Sequence, residues 1–464
     1  MTSSDQRKRI WGWYAYDWAS QPFYTLLLTF IFGPYFAAIA AQYFMGQGLE
    51  GEAARAAAQT QWSDALTIIG LLIAFTAPIL GAFADGTGRR MPWIALFSTF
   101  YIVGAAGLWW MVPDGSFIWG TLVFFGIVMI GVEYANIFTN ALLPSLGETD
   151  DIGELSGTGY AVGYIGGVLS LFLMLLVFAE NADGLTLLGN PPAFGLDGTE
   201  REGTRLVGPL TAVWFGVFMI PFFLWVKEPS TTAQPGGFTT ALSDLFRTLK
   251  SLRHRQSLAA YLGSSMLYRD ALNGLYAFGG VYAALVLGWS ITQIGVFGIV
   301  GAVTAAICTY VGGKLDSRFG PKPVIVWGAV ILTLVAVVIV GMDRNAIFGA
   351  PFADGSNLPD IIFYVIGAVI GGIGGAMQGA SRTMMVRHAN PERPTEAFGL
   401  YAFSGKATAF LAPWLIGSFT AYFESARLGL MPLIGLFLLA LILLVWVNPD
   451  GYRAEPWSDA PKPA

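Results

Sequence analysis

GAFADGTGRR, residues 81–90, is repeated in altered form as GGKLDSRFGPK, residues 312–322. Each stretch follows a long apolar run and precedes another, and Asp85 and Asp316 lie 231 residues apart in a chain of 464. This repetition at half the chain length indicates that a membrane-spanning unit was duplicated and fused head to tail. The second copy has one extra residue between Asp316 and Gly320, and Pro321 stands where an Arg is expected.

Composition places the chain in the membrane. It is 55% hydrophobic and 12% charged, with a mean hydropathy of +0.60, whereas soluble domains carry about 25% charged residues. These values predict a polytopic, all-α membrane protein and exclude an ordinary soluble enzyme.

Twelve apolar stretches are long enough to cross a hydrocarbon core, which takes about 20 helical residues. They lie near 12–44, 62–84, 92–112, 117–143, 157–179, 206–226, 257–287, 291–313, 323–342, 361–386, 397–422 and 428–447. We refer to them as spans 1 to 12.

The distribution of basic residues predicts the orientation, because Lys and Arg are retained on the cytoplasmic side during insertion. With the N-terminus inside, the cytoplasmic segments hold 17 of the 25 basic residues, the outer loops 5 and the spans 3. We therefore expect a multi-pass protein of the inner (plasma) membrane with both termini in the cytoplasm.

The long polar stretch between spans 6 and 7 divides the chain. It predicts an N-terminal six-helix bundle over 1–226, a cytoplasmic linker over 227–256, and a C-terminal six-helix bundle with a cytoplasmic tail over 257–464. Leu245, Leu249 and Leu252 alternate with basic residues in the linker, which predicts a short amphipathic helix at the membrane surface.

Cysteine and histidine are too sparse for a metal site. Cys308 is the single cysteine, so no disulfide forms within one chain, and His254 and His388 lack partners at ligand spacing. We expect no metal and no cofactor, with a proton gradient as the driving force.

The repeated loop and the twelve spans resemble the major facilitator superfamily. The resemblance implies two six-helix bundles related by a pseudo-two-fold axis, a central cavity lined by spans 1, 4, 7 and 10, and alternating access by rocking of the halves. It also implies that the first loop faces the start of span 11, near Ala397–Gly399, and the second the start of span 5, near Ser156 and Gly157.

A gating role for the loops can be argued independently. A carboxylate at the end of one span can neutralise the positive N-terminal end of a neighbouring helix, and nearby cations can pair with carboxylates across the half interface. The predicted gating residues are Asp85, Arg89, Arg90, Asp316 and Lys322. The alternative is that the basic residues only set topology.

Six ionisable residues lie well inside the spans, where each is costly unless protein, water or substrate compensates. They are Asp17, Glu133, Arg269, Asp270, Arg382 and Lys406. All except Lys406 lie on spans 1, 4, 7 and 10. This distribution indicates a polar cavity.

Polar neighbours extend these positions at helical spacing. Glu133, Asn136 and Asn140 share one face of span 4, Asp270 and Asn273 share a face of span 7, and Gln378 and Arg382 share a face of span 10. Together with Tyr268 they complete the predicted substrate-binding and coupling set.

Asp270, near mid-membrane, is the leading candidate for a proton carrier and Glu133 the second. The alternative is simple pairing of opposite charges, for example of Lys406 with Asp270 or Glu133.

Further motifs are similar to the vacuolar-effluxer-like branch of the superfamily, named for a yeast vacuolar protein linked to amino-acid release. They are Tyr16 to Ala19, Asn140 to Pro144, Ser156 to Gly166, Tyr268 and Asp270, Gln378 to Arg382, and Phe398 to Lys406. The chain departs from the family's pattern at Ser20, and at Arg269 and Ala271 beside Asp270.

The predicted function is secondary transport of a small polar organic solute, amino acids or related metabolites, coupled to protons and without enzymatic activity. Two alternatives are a non-transporting receptor or scaffold and a carrier of lipid-like or phosphorylated metabolites. A small solute and the lipid bilayer are the expected partners, nucleic acid is not, and a monomer is expected.

Overall fold

The computed structural model describes residues 3–148, 151–181, 183–228, 252–289, 291–391, 393–423 and 425–451, together with residues 243, 246 and 250. The chain forms two compact units. The first unit contains Met1–Ile73, Arg89–Thr139 and Val162–Thr231, and the second contains Ala74–Gly88, Asn140–Ala161 and Thr232–Ala464.

Helices dominate up to residue 225. They are α1 (Ser3–Pro22), a π-helix (Phe23–Phe30), α2 (Phe32–Gly46), α3 (Gly51–Thr87), α4 (Met91–Gly107), α5 (Ile118–Asn140), α6 (Ile152–Leu173), a second π-helix (Met174–Phe178), α7 (Glu202–Arg205), α8 (Val207–Phe218) and α9 (Ile220–Trp225). Short 3₁₀ turns lie at Leu108–Trp110, Leu143–Ser145 and Ala193–Gly195.

The remaining elements follow the linker. They are a 3₁₀ turn (Leu252–His254), α10 (Gln256–Leu285), α11 (Ile291–Phe319), α12 (Pro321–Gly341), strands β1 (Ala346–Ile347) and β2 (Ala350–Pro351), α13 (Leu358–His388), α14 (Pro394–Lys406), α15 (Leu411–Phe423), a 3₁₀ turn (Leu428–Leu430) and α16 (Met431–Leu444). The two strands pair antiparallel in the loop between α12 and α13.

Every predicted span has a helical counterpart in the described residues. Nine segments there are long and apolar enough to cross a membrane, and Leu428–Leu444 is a shorter apolar helix that corresponds to span 12. Span 7 corresponds to α10, whose polar residues lower its hydropathy, and span 11 to α14 and α15. The fold is therefore an all-α membrane fold.

Several spans are not continuous α-helices, which the prediction of continuous runs did not include. Span 5 changes to a π-helix after Leu173, and span 6 is divided at Met219. Span 1 changes from α-helix to π-helix after Pro22, and span 11 is broken between Lys406 and Leu411. Pro413 explains the break in span 11, because proline has no N–H to donate and its ring clashes with the carbonyl four residues earlier. The break lies one turn before that proline.

Each unit has its own packing. In the first, α1 packs on α8 and α9, and α4 packs on α8; in the second, α11 packs along α13, and α10 and α12 pack on α16. Large apolar side chains such as Ile68, Val123, Leu224 and Trp327 are exposed on the spans. Such exposed apolar faces suit contact with lipid.

The compact units divide the chain differently from the bundles predicted at 1–226 and 257–464. The segments 74–88 and 140–161, at the ends of α3, α5 and α6, belong to the second unit. They pack there against helices of the C-terminal half. Leu245 and Leu249 of the predicted linker helix lie outside the described residues, and Leu252 begins a 3₁₀ turn.

Candidate functional site

The first repeated loop caps a distant helix. The Asp85 Oδ2 atom accepts a hydrogen bond of 2.8 Å from the Glu396 N–H, in the first turn of α14. First-turn N–H groups have no partner within their own helix, so a carboxylate there completes the hydrogen bonding and faces the positive end of the helix. One turn before Asp85, a Cβ on Gly81 would lie 2.6 Å from the Thr395 carbonyl oxygen. The two backbones can therefore meet only because residue 81 is glycine.

The second loop has the same relation to the start of α6. The Ser317 Oγ atom accepts a hydrogen bond of 2.8 Å from the Glu154 N–H. Asp316, 1% exposed, lies directly against that turn, since a Cβ on Gly153 would be 2.6 Å from the Asp316 Cγ atom. The repeat in sequence is thus a repeat in structure: each aspartate lies at the N-terminal end of a helix from the other half of the chain.

The basic residues of the loops make a different contact. The Arg90 Nη1 atom lies 3.7 Å from Glu228 Oε1, and the Arg90 N–H donates to the same oxygen at 2.6 Å. In the second copy the Lys322 Nζ atom donates to the Val447 carbonyl at 2.7 Å. Glu228 follows α9 and Val447 follows α16, so each contact ties a loop to the last helix of its own half. Arg89 is exposed, and the gating role of the three cations stays a prediction.

Arg382 joins three helices within the second unit. Its Nη1 donates to Asn140 Oδ1 at 3.0 Å, and its Nε and Nη2 donate to the Oγ and carbonyl oxygen of Ser156 at 2.9 and 2.8 Å. The guanidinium also lies 4.0 Å from the centre of the Tyr160 ring. Arg382 is 1% exposed. It therefore fastens the end of α5 and the start of α6 to α13.

Three tyrosines converge on the residue before Arg382. The Tyr401 hydroxyl donates to Ser381 Oγ at 2.8 Å, the Tyr261 hydroxyl donates to the Ser381 carbonyl at 2.5 Å, and the Tyr268 hydroxyl also hydrogen-bonds Ser381 Oγ. Arg269 lies over the Tyr401 ring at 4.3 Å and donates to the Tyr401 carbonyl at 3.1 Å. These residues form a buried hydroxyl cluster with a cation at its edge.

Asp270 lies apart from that cluster, at the break in span 11. Its Oδ2 accepts a hydrogen bond of 3.1 Å from the Ala412 N–H, in the first turn of α15. Within the described residues its Oδ1 is buried without a hydrogen-bond partner, as is the Thr408 hydroxyl inside the break. Asp270 is 3% exposed. An interrupted span with a half-paired carboxylate at one helix end is typical of ion and substrate sites in transporters.

Asp17 and Glu133 lie in the first unit and are 8% and 9% exposed, respectively. A Cβ on Gly163 would be 3.1 Å from the Asp17 carbonyl oxygen, so α1 and α6 approach closely there. The Tyr16 hydroxyl donates to the Val132 carbonyl at 3.1 Å, which holds α1 against α5 beside Glu133.

The other predicted residues are less closely grouped. Asn136 and Gln378 are half-buried, Asn273 is exposed on α10, and Lys406 is the last residue of α14. No three His, Cys, Asp or Glu side chains lie together as metal ligands do in the part of the chain that the structure describes.

Sequence reasoning did not assign roles to Glu228, Tyr261 or Ser381. The acidic Glu228 directly after span 6 was a visible signal, since the first-turn N–H groups of α4 needed an acceptor. Ser381 gave no signal of its own, because only the fold brings three hydroxyls to it.

The family model for vacuole effluxer Atg22-like proteins matches residues 5–455. The MFS-type transporter YxiO of Bacillus subtilis (strain 168) is 24% identical over 445 residues, covering 95% of this chain and 94% of that protein. Autophagy-related protein 22-1 of Neosartorya fischeri is 23% identical over 312 residues, covering 64% of this chain. The matched region spans about half of that protein, 48% of its length.

Solved structures show the same fold. The proton:xylose symporter XylE has a TM-score of 0.66 at 13% identity and covers 97% of this chain, with 98% of that chain matched. The transporter FucP in its outward conformation has a TM-score of 0.66 at 12% identity, covering 95% of this chain and 98% of that one. The relatives are transporters and not enzymes. The chain belongs to the vacuole effluxer Atg22-like family of major facilitator superfamily transporters.

Proposed function

We propose that the protein is a secondary active transporter that couples the movement of a small polar organic solute to the movement of protons. One observation carries the coupling: Asp270, buried in a span, has one carboxylate oxygen bound to the start of α15 and the other without a hydrogen-bond partner in the described residues. An unpaired buried charge is costly, and a bound proton removes that charge. Asp270 is therefore the proposed proton carrier, with Glu133 as the second candidate.

The solute is proposed to be an amino acid or a related metabolite. The motifs that resemble the vacuolar-effluxer-like branch, named for a protein linked to amino-acid release, favour this class, and the residues supply matching chemistry. Arg269, beside the hydroxyl cluster of Tyr268, Tyr401 and Ser381, can hold a carboxylate, and hydroxyl groups can orient polar substituents. Lys406 at the break in span 11 supplies a second cation.

Alternating access is proposed to use the two helix-capping aspartates as a gate. Asp85 contacts the start of α14, and Asp316 contacts the start of α6. These contacts are proposed to close the substrate pathway at the end where the repeated loops lie. Opening at that end must break both sets of contacts. Basic residues are in excess in the loops at this end and near both termini. This excess favours a protein of the inner membrane with this end and both termini in the cytoplasm. The transporter is proposed to act as a monomer.

Transport into proteoliposomes tests the proposal. Purified protein is reconstituted, and uptake and release of labelled amino acids, peptides, organic acids and phosphorylated metabolites are measured under pH gradients of both signs. We expect one solute class to accumulate above protein-free liposomes and a protonophore to abolish the accumulation. The absence of gradient-dependent flux for every class would support a receptor or scaffold instead.

Replacing Asp85 by Ala should open the gate. The change removes the acceptor for the Glu396 N–H, and loss of a helix cap costs about 1–2 kcal/mol, a factor of roughly 5–30 in the closed-to-open equilibrium. The measurement uses Ala397→Cys, a position 4% exposed on α14, in a Cys308→Ser background. We expect its maleimide labelling rate in nanodiscs to rise by that factor.

Asp85→Asn is the matched control, since its side-chain oxygen still accepts the hydrogen bond. It should label nearly as slowly as the parent. Equal labelling rates for Asp85→Ala and the parent would show that this cap does not hold the gate closed.

A further inference from the structure

A cavity of about 590 Å³ lies within the first unit, beside the second half of span 1 and the end of span 5. Its volume falls in the range of small-molecule sites, roughly 300–1,000 Å³. The residues that line it come from the end of the first π-helix, α2, Pro113, the end of span 5 and the segment between span 5 and α8, and none belongs to the predicted coupling or gating set. The proposed transport cycle thus leaves this cavity without a role.

Both π-helices end at this cavity. Ile31 closes the first with an N–H to Leu26 carbonyl bond of 3.1 Å, and Ala179 closes the second with an N–H to Met174 carbonyl bond of 2.7 Å. Ile31 and Ala179 both line the cavity. π-helical turns are rare and occur most often at functional sites, because they are less stable than regular helix. Two of them at one cavity indicate that the shape of this cavity serves a function.

At the polar end of the cavity, hydrogen bonds and an ion pair hold the Arg201 side chain in place. Its Nε lies 3.1 Å from Glu180 Oε1, and the Glu180 side chain is fully buried. Glu180 also accepts hydrogen bonds from the hydroxyl and the N–H of Thr204 at 2.7 and 3.1 Å. A Cβ on Gly203 would lie 2.2 Å from Glu180 Oε2, so only glycine lets this turn close over the carboxylate.

Glu180 holds the Nε edge of the Arg201 guanidinium and leaves the two Nη atoms weakly used. Nη1 reaches the Asn181 carbonyl only at 3.3 Å, and Nη2 reaches Thr204 Oγ1 only at 3.5 Å. The backbone of Arg201 has φ 55, a left-handed conformation that is costly for a residue with a side chain. A pre-oriented guanidinium with two under-used donors is suited to bidentate binding of an oxyanion.

Most of the remaining lining is apolar, and Gln42 and Tyr35 are its polar members. Phe30, Ile31, Pro34, Ile39 and Leu175 form the apolar wall. We propose that the cavity binds an amphipathic anion, an oxyanion joined to a hydrocarbon chain, with the oxyanion on the Nη1 and Nη2 atoms of Arg201 and the hydrocarbon body against this wall. Glu180 is then a positioning residue, because its carboxylate is bonded to Arg201 and Thr204 and holds the guanidinium in place.

The same chemistry, an oxyanion joined to a hydrocarbon chain, can come from a free acid in water or from an anionic lipid of the bilayer. The exposed apolar residues Leu187 and Leu188 lie in the loop over the cavity. They place the entrance near the membrane surface, within reach of either source.

Binding of decanoate tests the proposal, with decanol as the uncharged probe. The full chain is placed in phosphatidylcholine nanodiscs and binding is followed by calorimetry and by the shift in melting temperature. We expect saturable binding of decanoate and at least tenfold weaker binding of decanol, because decanol lacks the charge that pairs with Arg201. Arg201→Gln should weaken decanoate binding about tenfold or more and leave decanol binding nearly unchanged.

Two further variants separate a specific site from partition into lipid. Ala38→Phe adds a ring to the cavity from an exposed position and should abolish binding of both probes. Arg344→Gln removes a surface ion pair, that with Asp360, whose residues do not line the cavity, and it should bind decanoate like the parent. Equal binding by the parent, Arg201→Gln and Ala38→Phe, or no binding by the parent, would overturn the proposal.

The lipid source is distinguished by adding phosphatidylglycerol to the nanodiscs. If phosphatidylglycerol competes with decanoate in the parent and not in Arg201→Gln, the site takes the anionic lipid. If decanoate affinity is unaffected by phosphatidylglycerol, the site takes the free acid. Both results support an oxyanion site at Arg201, and neither depends on identifying the transported solute.

Discussion

Asp270→Asn should abolish accumulation of solute against a gradient while leaving exchange of solute intact. The substitution is nearly isosteric, and the side-chain oxygen of Asn can still accept the hydrogen bond from the Ala412 N–H. Only the capacity to gain and lose a proton is removed. This separates the two roles that the structure permits for Asp270, a cap for α15 and a carrier of protons.

The expected magnitude follows from the gradient. With one proton per solute, a pH difference of one unit supplies about 1.4 kcal/mol, which sustains about tenfold accumulation. The wild-type protein should approach this ratio, and Asp270→Asn should equilibrate at a ratio of about one, with an exchange rate within roughly threefold of wild type. Labelled solute in proteoliposomes measures both quantities.

Two controls sharpen the result. Asp197→Asn changes a carboxylate in the loop between α6 and α7 and should transport like wild type. Asp270→Ala removes the cap as well as the charge and should lose exchange too. If Asp270→Asn accumulates solute normally, Asp270 is a structural cap and the coupling assignment is wrong.

Arg382→Gln should produce the largest loss of stability. The substitution removes the guanidinium N–H groups that donate hydrogen bonds to Asn140 Oδ1 and to both oxygens of Ser156. These contacts are buried. Each buried group left unsatisfied costs about 1–3 kcal/mol, so a total near 3 kcal/mol is expected. The start of α6 and the end of α5 then lose their fastening to α13, and transport should fall together with stability.

The melting temperature of the purified protein measures this effect. We expect a decrease of roughly 5–10 °C for Arg382→Gln, and a partial decrease for Arg382→Lys, whose single ammonium cannot reproduce the three contacts. Arg427→Gln, which removes the partly exposed pair with Asp343, is the control and should change the melting temperature little. A melting temperature for Arg382→Gln equal to that of the control would show that Arg382 does not hold these helices together.

The fold was predictable because its signals are strong and repeated. Apolar runs of membrane-spanning length and the duplicated loop led to the twelve-span architecture and to the superfamily, and the family match confirms both. The break in span 11 could have been predicted from the sequence, because Pro413 lies one turn after it. The π-helix in span 1 could not, because π-helices have no periodicity distinct enough to read from a short apolar run.

Only part of the candidate site could be predicted from the sequence. The residue types of Asp85 and Asp316 indicated helix capping, and the structure places both at the starts of the helices that the resemblance implied. The contact of Lys322 could not be predicted, because a backbone carbonyl such as that of Val447 carries no sequence mark of pairing, whereas the acidic Glu228 after span 6 was a visible acceptor for Arg90. Helical spacing placed Asp270 and Arg269 on one span, but only the tertiary structure shows that one contacts α15 and the other Tyr401.

Proton movement driven by the solute alone is the most direct test of the central claim, that this transporter couples solute to protons. Proteoliposomes with a pH-sensitive dye inside and no imposed pH gradient receive a gradient of the solute found in the transport screen. The account predicts a change of internal pH in fixed ratio to solute flux, and no change for Asp270→Asn despite continued solute exchange. Solute flux through the wild-type protein without any movement of protons would contradict it.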